Sequence, residues 1–332
     1  MKVIVVSKNE AGQRFDKLLA KVLNQAPKSF IYKMLRKKNI TLNGKKADGS
    51  EKVVLGDEVK LFLSDETFEK FSAEFSKTQP EMSGITSFIG RSIPIIYEDD
   101  NVLVLNKPAG VLSQKAVPSD VSMVEHVISY LLETKQMTQS ELNTFKPGVC
   151  NRLDRNTSGM IVAGKSLAGL QTMAELFKDR SLHKYYRCIV KGKILSQQLI
   201  QGYLVKDEAT NKVTIYQHPT EGAEYIETEY KPIHTTDDYT LLEVKLITGK
   251  THQIRAHLKS IGHGIIGDGK YGSKSVNDYF KKTYGLNYQL LHSYRLEFPE
   301  LAGTCAKLSN QVLIAELPNQ FQKIQKGLFP TC

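Results

Sequence analysis

The run Asn151-Arg152-Leu153-Asp154-Arg155-Asn156-Thr157-Ser158-Gly159 gathers unusual chemistry into nine consecutive positions of a 332-residue chain. A carboxylate flanked by two arginines stays ionised, because nearby positive charge favours its charged form. Thr157-Ser158-Gly159 offers a turn, and Met160 to Ala163 follows as a short apolar strand. Asp154 is therefore expected on a loop supported by a sheet. On physical grounds alone the same run also reads as a surface salt-bridge patch, since structural ion pairs have this composition too.

Outward from that loop, strands are expected at Val102 to Leu105, Tyr186 to Val190 and Thr240 to Ile247. Helices are expected at Val121 to Leu132, capped by Ser119 or Asp120, and at Leu167 to Phe177, capped by Ser166. Helix and strand signals mix without a strict βαβ rhythm, which predicts an α+β fold. Thr248-Gly249-Lys250-Thr251-His252-Gln253-Ile254-Arg255 starts another helix and puts Arg255 in its first turns.

Several tempting patterns fail. Gly262-His263-Gly264-Ile265-Ile266-Gly267 and Gly267-Asp268-Gly269-Lys270-Tyr271-Gly272 have the spacing of a dinucleotide loop, but helical periodicity precedes them and polar sequence follows, so they read as turns. His252 and His257, five apart, point to different sides of a helix, and no HExxH occurs; no metal site is expected.

Length suggests about two domains. Apolar residues make up 41% of the chain, and the longest apolar runs are strand-sized, too short to span a bilayer. The start, MKVIVVSKNE, lacks the longer core of a secretory signal. Cys150, Cys188, Cys305 and Cys332 form no CxxC pair, which suits reduced thiols in a cytoplasmic protein.

Net charge is +10, and residues 1–60 hold 14 Lys plus Arg against 6 Asp plus Glu, a net of +8 that leaves +2 for the remainder. That segment reads as a unit meant to meet a polyanion. Phe15, Leu18, Leu19, Val22 and Leu23 mark one amphipathic helix, and Phe30, Ile31, Met34 and Leu35 a second. Lys33, Arg36 and Lys37 lie along one edge of the second helix and Lys38 follows it. Asn43-Gly44 is a hairpin turn with Lys45 beyond it, and a strand runs over 58–63. The expected organisation is a small module at 1–64, a linker at 65–92 and a larger domain at 93–332.

RLDRNTSG (152–159), followed by TGKTHQIRAHL (248–258), resembles the large-subunit-ribosomal branch of the RluA-type pseudouridine synthases. The resemblance continues through Tyr97 to Asp100 with Asn106-Lys107-Pro108-Ala109-Gly110, Lys184-Tyr185-Tyr186, Gly267-Asp268 with Tyr271-Gly272, and Leu290-Leu291-His292. Residues 1–64 resemble an S4 RNA-binding module, with Arg14 to Leu19 and Asn43-Gly44-Lys45 as landmarks.

The resemblance implies a catalytic domain on a mixed, largely antiparallel sheet, with a small α/β S4-like module ahead of it. It implies that Asp154 is the catalytic aspartate, that Arg255 pairs with it, and that Tyr186 stacks on the base and can move protons. Tyr185 and Tyr186 face opposite sides of a strand, so only one reaches the site. Ile254 would wall the base, and Arg152 would fill the gap left by a flipped uridine. Lys33, Arg36, Lys37, Lys38 and Lys45 would contact phosphates. The partner is then RNA, large-subunit rRNA foremost, with tRNA, or an inactive ribosome-assembly factor, as alternatives. No membrane is implied, a monomer is expected, and isomerisation needs no magnesium, nucleotide or flavin. The family's usual His at position 151 is Asn here, which bears on RNA contacts, and Lys250 replaces the usual Arg.

Overall fold

A computed structural model describes residues 1–72, 93–139 and 141–330. The first unit runs β1 (Lys2–Val5), α1 (Phe15–Val22), α2 (Lys28–Arg36), β2 (Ile40–Leu42), β3 (Lys45–Lys46), β4 (Glu58–Leu61) and α3 (Asp65–Phe71). Its sheet has the order β1-β4-β2-β3 with antiparallel pairs. α1 buries Phe15, Leu18, Leu19 and Val22, and α2 buries Ile31, Met34 and Leu35, so the two predicted apolar stripes form one core under the sheet. Asn43 and Gly44 take φ of 50° and 70°, the left-handed pair that a two-residue hairpin requires. The Asn43 amide holds that turn by donating to Asp57 and accepting from the Glu58 N–H.

Two boundaries differ from expectation. The last strand ends at Leu61. The linker expected at 65–92 opens instead as α3, capped by the Ser64 hydroxyl accepting from the Thr67 N–H. Phe68 and Phe71 pack on the module's core, and the Phe71 ring lies 4.4 Å from that of Phe30. Scattered Phe spacing hid this closing helix amid local acidity. Residues 73–92, the rest of that expected linker, lie outside the described residues.

The second unit runs β5 (Ile95–Glu98), β6 (Val102–Lys107), α4 (Met123–Glu133), β7 (Gly148–Val149), β8 (Ser158–Gly164), α5 (Leu167–Lys178), β9 (His183–Lys191), β10 (Gln198–Asp207), β11 (Lys212–Tyr216), β12 (Glu224–Thr235), β13 (Tyr239–Leu246), α6 (Gln253–Ser260), α7 (Lys274–Tyr284), β14 (Leu291–Glu297), β15 (Val312–Ile314) and α8 (Asn319–Leu328). These strands form one sheet, ordered β11-β10-β12-β13-β9-β14-β8-β6-β5, with β15 beside β14 and β7 beside β8. Pairing is antiparallel except at β14 and β8, so the fold is α+β on a mixed, largely antiparallel sheet. The parallel joint is close: Gly159 has φ +112°, and a side chain there would sit 2.3 Å from the Ser293 carbonyl oxygen.

α5 starts where predicted, the Ser166 hydroxyl accepting from the Gly169 N–H. α4 starts later than predicted. Its cap is Ser122, not Ser119 or Asp120, because Ser122 and Glu125 close a reciprocal capping box. Asp120 instead accepts from the N–H groups of Ala116 and Val117 in the preceding loop. Among the described residues no helix is long and apolar enough to cross a membrane.

Candidate active site

The loop between β7 and β8 is pinned at nearly every step. The Asn151 amide donates to the Met160 carbonyl (3.0 Å) and accepts from the Val162 N–H (2.8 Å), tying the loop's start to β8. Ser113 donates to the Leu153 carbonyl (2.8 Å) and accepts from its N–H (2.9 Å). Lys107, fully buried, donates to the carbonyls of Pro108, Val111 and Arg155 at 2.8–3.0 Å. Burial pushes its pKa down to about 7, while the three carbonyls match the three donors of its ammonium form. The Thr157 N–H closes a turn onto the Asp154 carbonyl at 3.0 Å. Asp154 is thus presented on a braced loop, with its side chain about one-quarter exposed.

Arg255 comes from the first turn of α6 and is 6% exposed. Its Nη1 donates to Asp154 Oδ2 at 2.7 Å, while Nε and Nη2 form a fork onto Asp268 Oδ2 and Oδ1 at 2.7 and 2.9 Å. Burial opposes its charge, but Asp268 and Asp154 override it and hold the guanidinium pKa above its ordinary value. Asp268, fully buried, also accepts from the N–H groups of Lys270 and Tyr271. Burial raises its pKa, yet Arg255 and those N–H groups outweigh it and hold the carboxyl below the usual range. The glycine-spaced segment read as turns serves this residue: Gly267 has φ +79°, and a side chain there would meet the Tyr288 carbonyl at 2.3 Å.

Gln253 fixes the entry to α6. Its amide donates to the Glu227 carbonyl and Thr228 hydroxyl, and it accepts from the Thr248 hydroxyl and Lys250 N–H. His252, just before it, adopts φ 54°, a conformation uncommon for a residue with a side chain. Its Nε2 lies 4.0 Å from Asp154 Oδ2 and its Nδ1 lies 3.0 Å from the Tyr271 hydroxyl. That hydroxyl also accepts from the Val213 N–H, which fixes the tyrosine against the imidazole. Burial, partly offset by Asp154, holds the imidazole pKa below its ordinary value. Backbone geometry, invisible in sequence, is what brings His252 beside Asp154.

Asp154, Arg255, Ile254, Tyr186 and Arg152 line one cleft of about 1100 Å³. Tyr186 is buried with its pKa pushed up to about 12, chiefly by burial, so it presents a neutral phenol. Tyr185 faces away: its ring lies 3.8 Å from the Arg295 guanidinium and its hydroxyl donates to Glu297. Arg152 is exposed at the mouth and Ile254 is buried in the wall. Asn151 is committed to β8, and Lys250 pairs with Glu224. Gln289 donates to the Thr157 hydroxyl from the cleft floor.

Apart from Arg255, nine lysines and arginines line this cleft among the described residues, against Asp154 as the single carboxylate. Four of the nine, Lys115, Lys178, Lys206 and Lys250, pair with Glu125, Glu175, Glu208 and Glu224, so the excess charge of the cleft rests on Arg152, Arg155, Arg180, Lys184 and Lys270. Lys33, Arg36, Lys37, Lys38 and Lys45 lie apart from the cleft, on α2, its C-terminal end and the β2–β3 hairpin. All five are exposed and none is in an ion pair among the described residues. No group of three or more His, Cys, Asp or Glu side chains there could hold a metal.

The profile of the RNA pseudouridylate synthase family matches residues 101–260, and that of the S4 domain matches residues 13–59. The ribosomal large subunit pseudouridine synthase C of Vibrio vulnificus is 29% identical over 299 residues, covering 90% of this chain and 88% of that protein. The protein of the same name from Escherichia coli is 29% identical over 300 residues, with the same coverage. The structure of human RNA pseudouridylate synthase domain containing 4 superposes with a TM-score of 0.58 at 23% identity, covering 74% of this chain and 97% of that one, a likeness of fold.

Proposed function

The chain belongs to the RNA pseudouridylate synthases, isomerases that turn uridine into pseudouridine, and from that premise we propose that its substrate is large-subunit ribosomal RNA and that Asp154 is its reacting carboxylate. One observation carries the assignment to Asp154. Among the described residues it is the single carboxylate lining a cationic cleft, and a buried arginine holds one of its oxygens at 2.7 Å. The names of its relatives and the five unpaired cations of the S4 unit support the choice of RNA.

In the isomerisation the C1′–N1 bond breaks with its electron pair passing to uracil N1. The base turns, C5 bonds to C1′, the C5 proton leaves, and N1 takes up a proton, so no atom is gained or lost. Asp154 serves this by adding to the sugar or by acting on it as a base; both routes need an ionised carboxylate and both return it free. Arg255 holds the carboxylate aimed through its hydrogen bond to Oδ2. Tyr186 offers its ring to the base and its phenol as a proton donor, with Ile254 as the facing wall. Arg152 fills the space the uridine leaves, offsetting part of the few kcal/mol that unstacking costs. The S4 cations position the RNA through its phosphates. There is no redox step and no outside group donor, so the chemistry calls for no cofactor. We place this activity in a cytoplasmic monomer.

The test is tritium release from RNA labelled at uridine C5, using transcripts of large-subunit rRNA and of tRNA from the source organism. Release from rRNA is expected, with Asp154→Asn abolishing turnover while retaining RNA binding. Release confined to tRNA would overturn the substrate, and turnover by pure Asp154→Asn protein would overturn the role of Asp154.

A further inference from the structure

Three lysines are buried among the described residues, and two of them are satisfied. Lys107 has its three carbonyls, and Lys165 donates to Glu98 at 2.6 Å and to the Asp99 carbonyl at 2.7 Å. The third, Lys184, is 8% exposed and has no hydrogen bond or ion pair with any described residue. A buried cation is costly unless something compensates its charge. Nearest in charge is the Arg180 guanidinium, which repels it; burial and Arg180 together hold the Lys184 pKa below its ordinary value.

Both cations open into the cleft already described. Lys184 stands on β9 two residues before Tyr186, and both are buried on the same face of the strand, about 7 Å apart along it. Phe177 and Leu296 line this end of the cleft beside it. Arg180 is exposed and holds φ 67°, an uncommon conformation for a residue with a side chain. The one carboxylate in the connecting turn, Asp179, is engaged by the N–H and hydroxyl of Ser181. Two cations therefore open into one end of the cleft, and among the described residues no carboxylate pairs with either.

We propose that Lys184 and Arg180 form a phosphate site that receives the RNA backbone adjoining the uridine held against Tyr186. An ammonium and a guanidinium can share the two free oxygens of a phosphodiester, the arginine through its planar fork and the lysine as a point charge. The proposal rests on the cleft being an RNA site.

The experiment uses full-length protein and an RNA from which it releases tritium. Lys184→Met keeps an unbranched apolar stem, and Arg180→Gln removes the second charge. Each is expected to weaken RNA binding and to lower the slope of log affinity against log salt by about 0.7, the value for one single-strand phosphate contact. Lys184→Met should also melt no lower than wild type, because it deletes an uncompensated charge. Neutral methylphosphonate is then placed at each linkage in turn. One linkage beside the target uridine should cost wild type about tenfold in affinity, the worth of one charge-assisted pair, and cost the double variant nothing further. Losses that add at every linkage, an unchanged salt slope, or a lower melting temperature for Lys184→Met would each overturn the site while leaving the synthase assignment standing. No tritium release from any RNA would overturn both.

Discussion

Replacing Asp268 by Asn tests what holds Arg255 in place. The Asp268 carboxylate is fully buried and accepts four hydrogen bonds, two from Arg255 and one each from the N–H groups of Lys270 and Tyr271. Asn offers one acceptor oxygen and turns an amide N–H₂ toward a guanidinium that can only donate. Breaking a buried ion pair from one side costs about 3–5 kcal/mol, because it strands the other charge. In a domain of this size that lowers the melting temperature by roughly 10 °C. The loss also has a pH signature. The folded pKa of Asp268 lies below its ordinary value, so its contribution to stability is fully present above the unfolded pKa of about 4 and disappears as pH falls through the lower folded value. The stability gap between wild type and Asp268→Asn should be constant from neutral pH to about pH 5 and close in more acidic solution. Turnover should fall roughly 100-fold, the cost of a misplaced catalytic pair. Chemical denaturation across pH 3–7 and single-turnover tritium release measure both effects. If Asp268→Asn melts within two or so degrees of wild type and keeps the same acid limb, the buried fork is not what orients Arg255.

Three further outcomes follow from the same geometry. Arg255→Lys keeps a charge but cannot bridge Asp268 and Asp154, so kcat should fall with little change in RNA affinity, whereas Arg152→Lys should weaken the reactive complex; stopped-flow binding beside single-turnover rates separates them. Changing Lys33, Arg36, Lys37, Lys38 and Lys45 together to Gln should raise KM and flatten the salt dependence of binding while melting stays unchanged, since all five are exposed and unpaired; filter binding across a salt series measures it. Tyr186→Phe should slow turnover and Tyr185→Phe should not, because only the former lines the cleft; equal losses in tritium release would contradict the facing of β9.

The loop carrying Asp154, its supporting strand and the cap of α5 were legible because each depends on neighbours in sequence. The Arg255–Asp154 pair was legible only through resemblance to a family, as the partners stand 101 residues apart. Asp268 was passed over because glycines dominate its surroundings, and their role is to let a buried carboxylate turn toward Arg255. His252 was missed since its left-handed backbone breaks the helical spacing that would have aimed it elsewhere. The charge of the cleft was hidden by averaging, because its cations come from segments as distant as Lys115 and Lys270.

The parallel joint between β8 and β14 gives this enzyme a seam. On one side, β5, β6, β7 and β8 carry the loop that bears Asp154; on the other lie the strands and helix that bring Tyr186, His252 and Arg255. Neither half holds all of the groups proposed to react, and β14 is the strand that stitches the halves together. The proposed site therefore exists only where the two halves are joined, and whatever loosens β14 would part Asp154 from Arg255 and Tyr186.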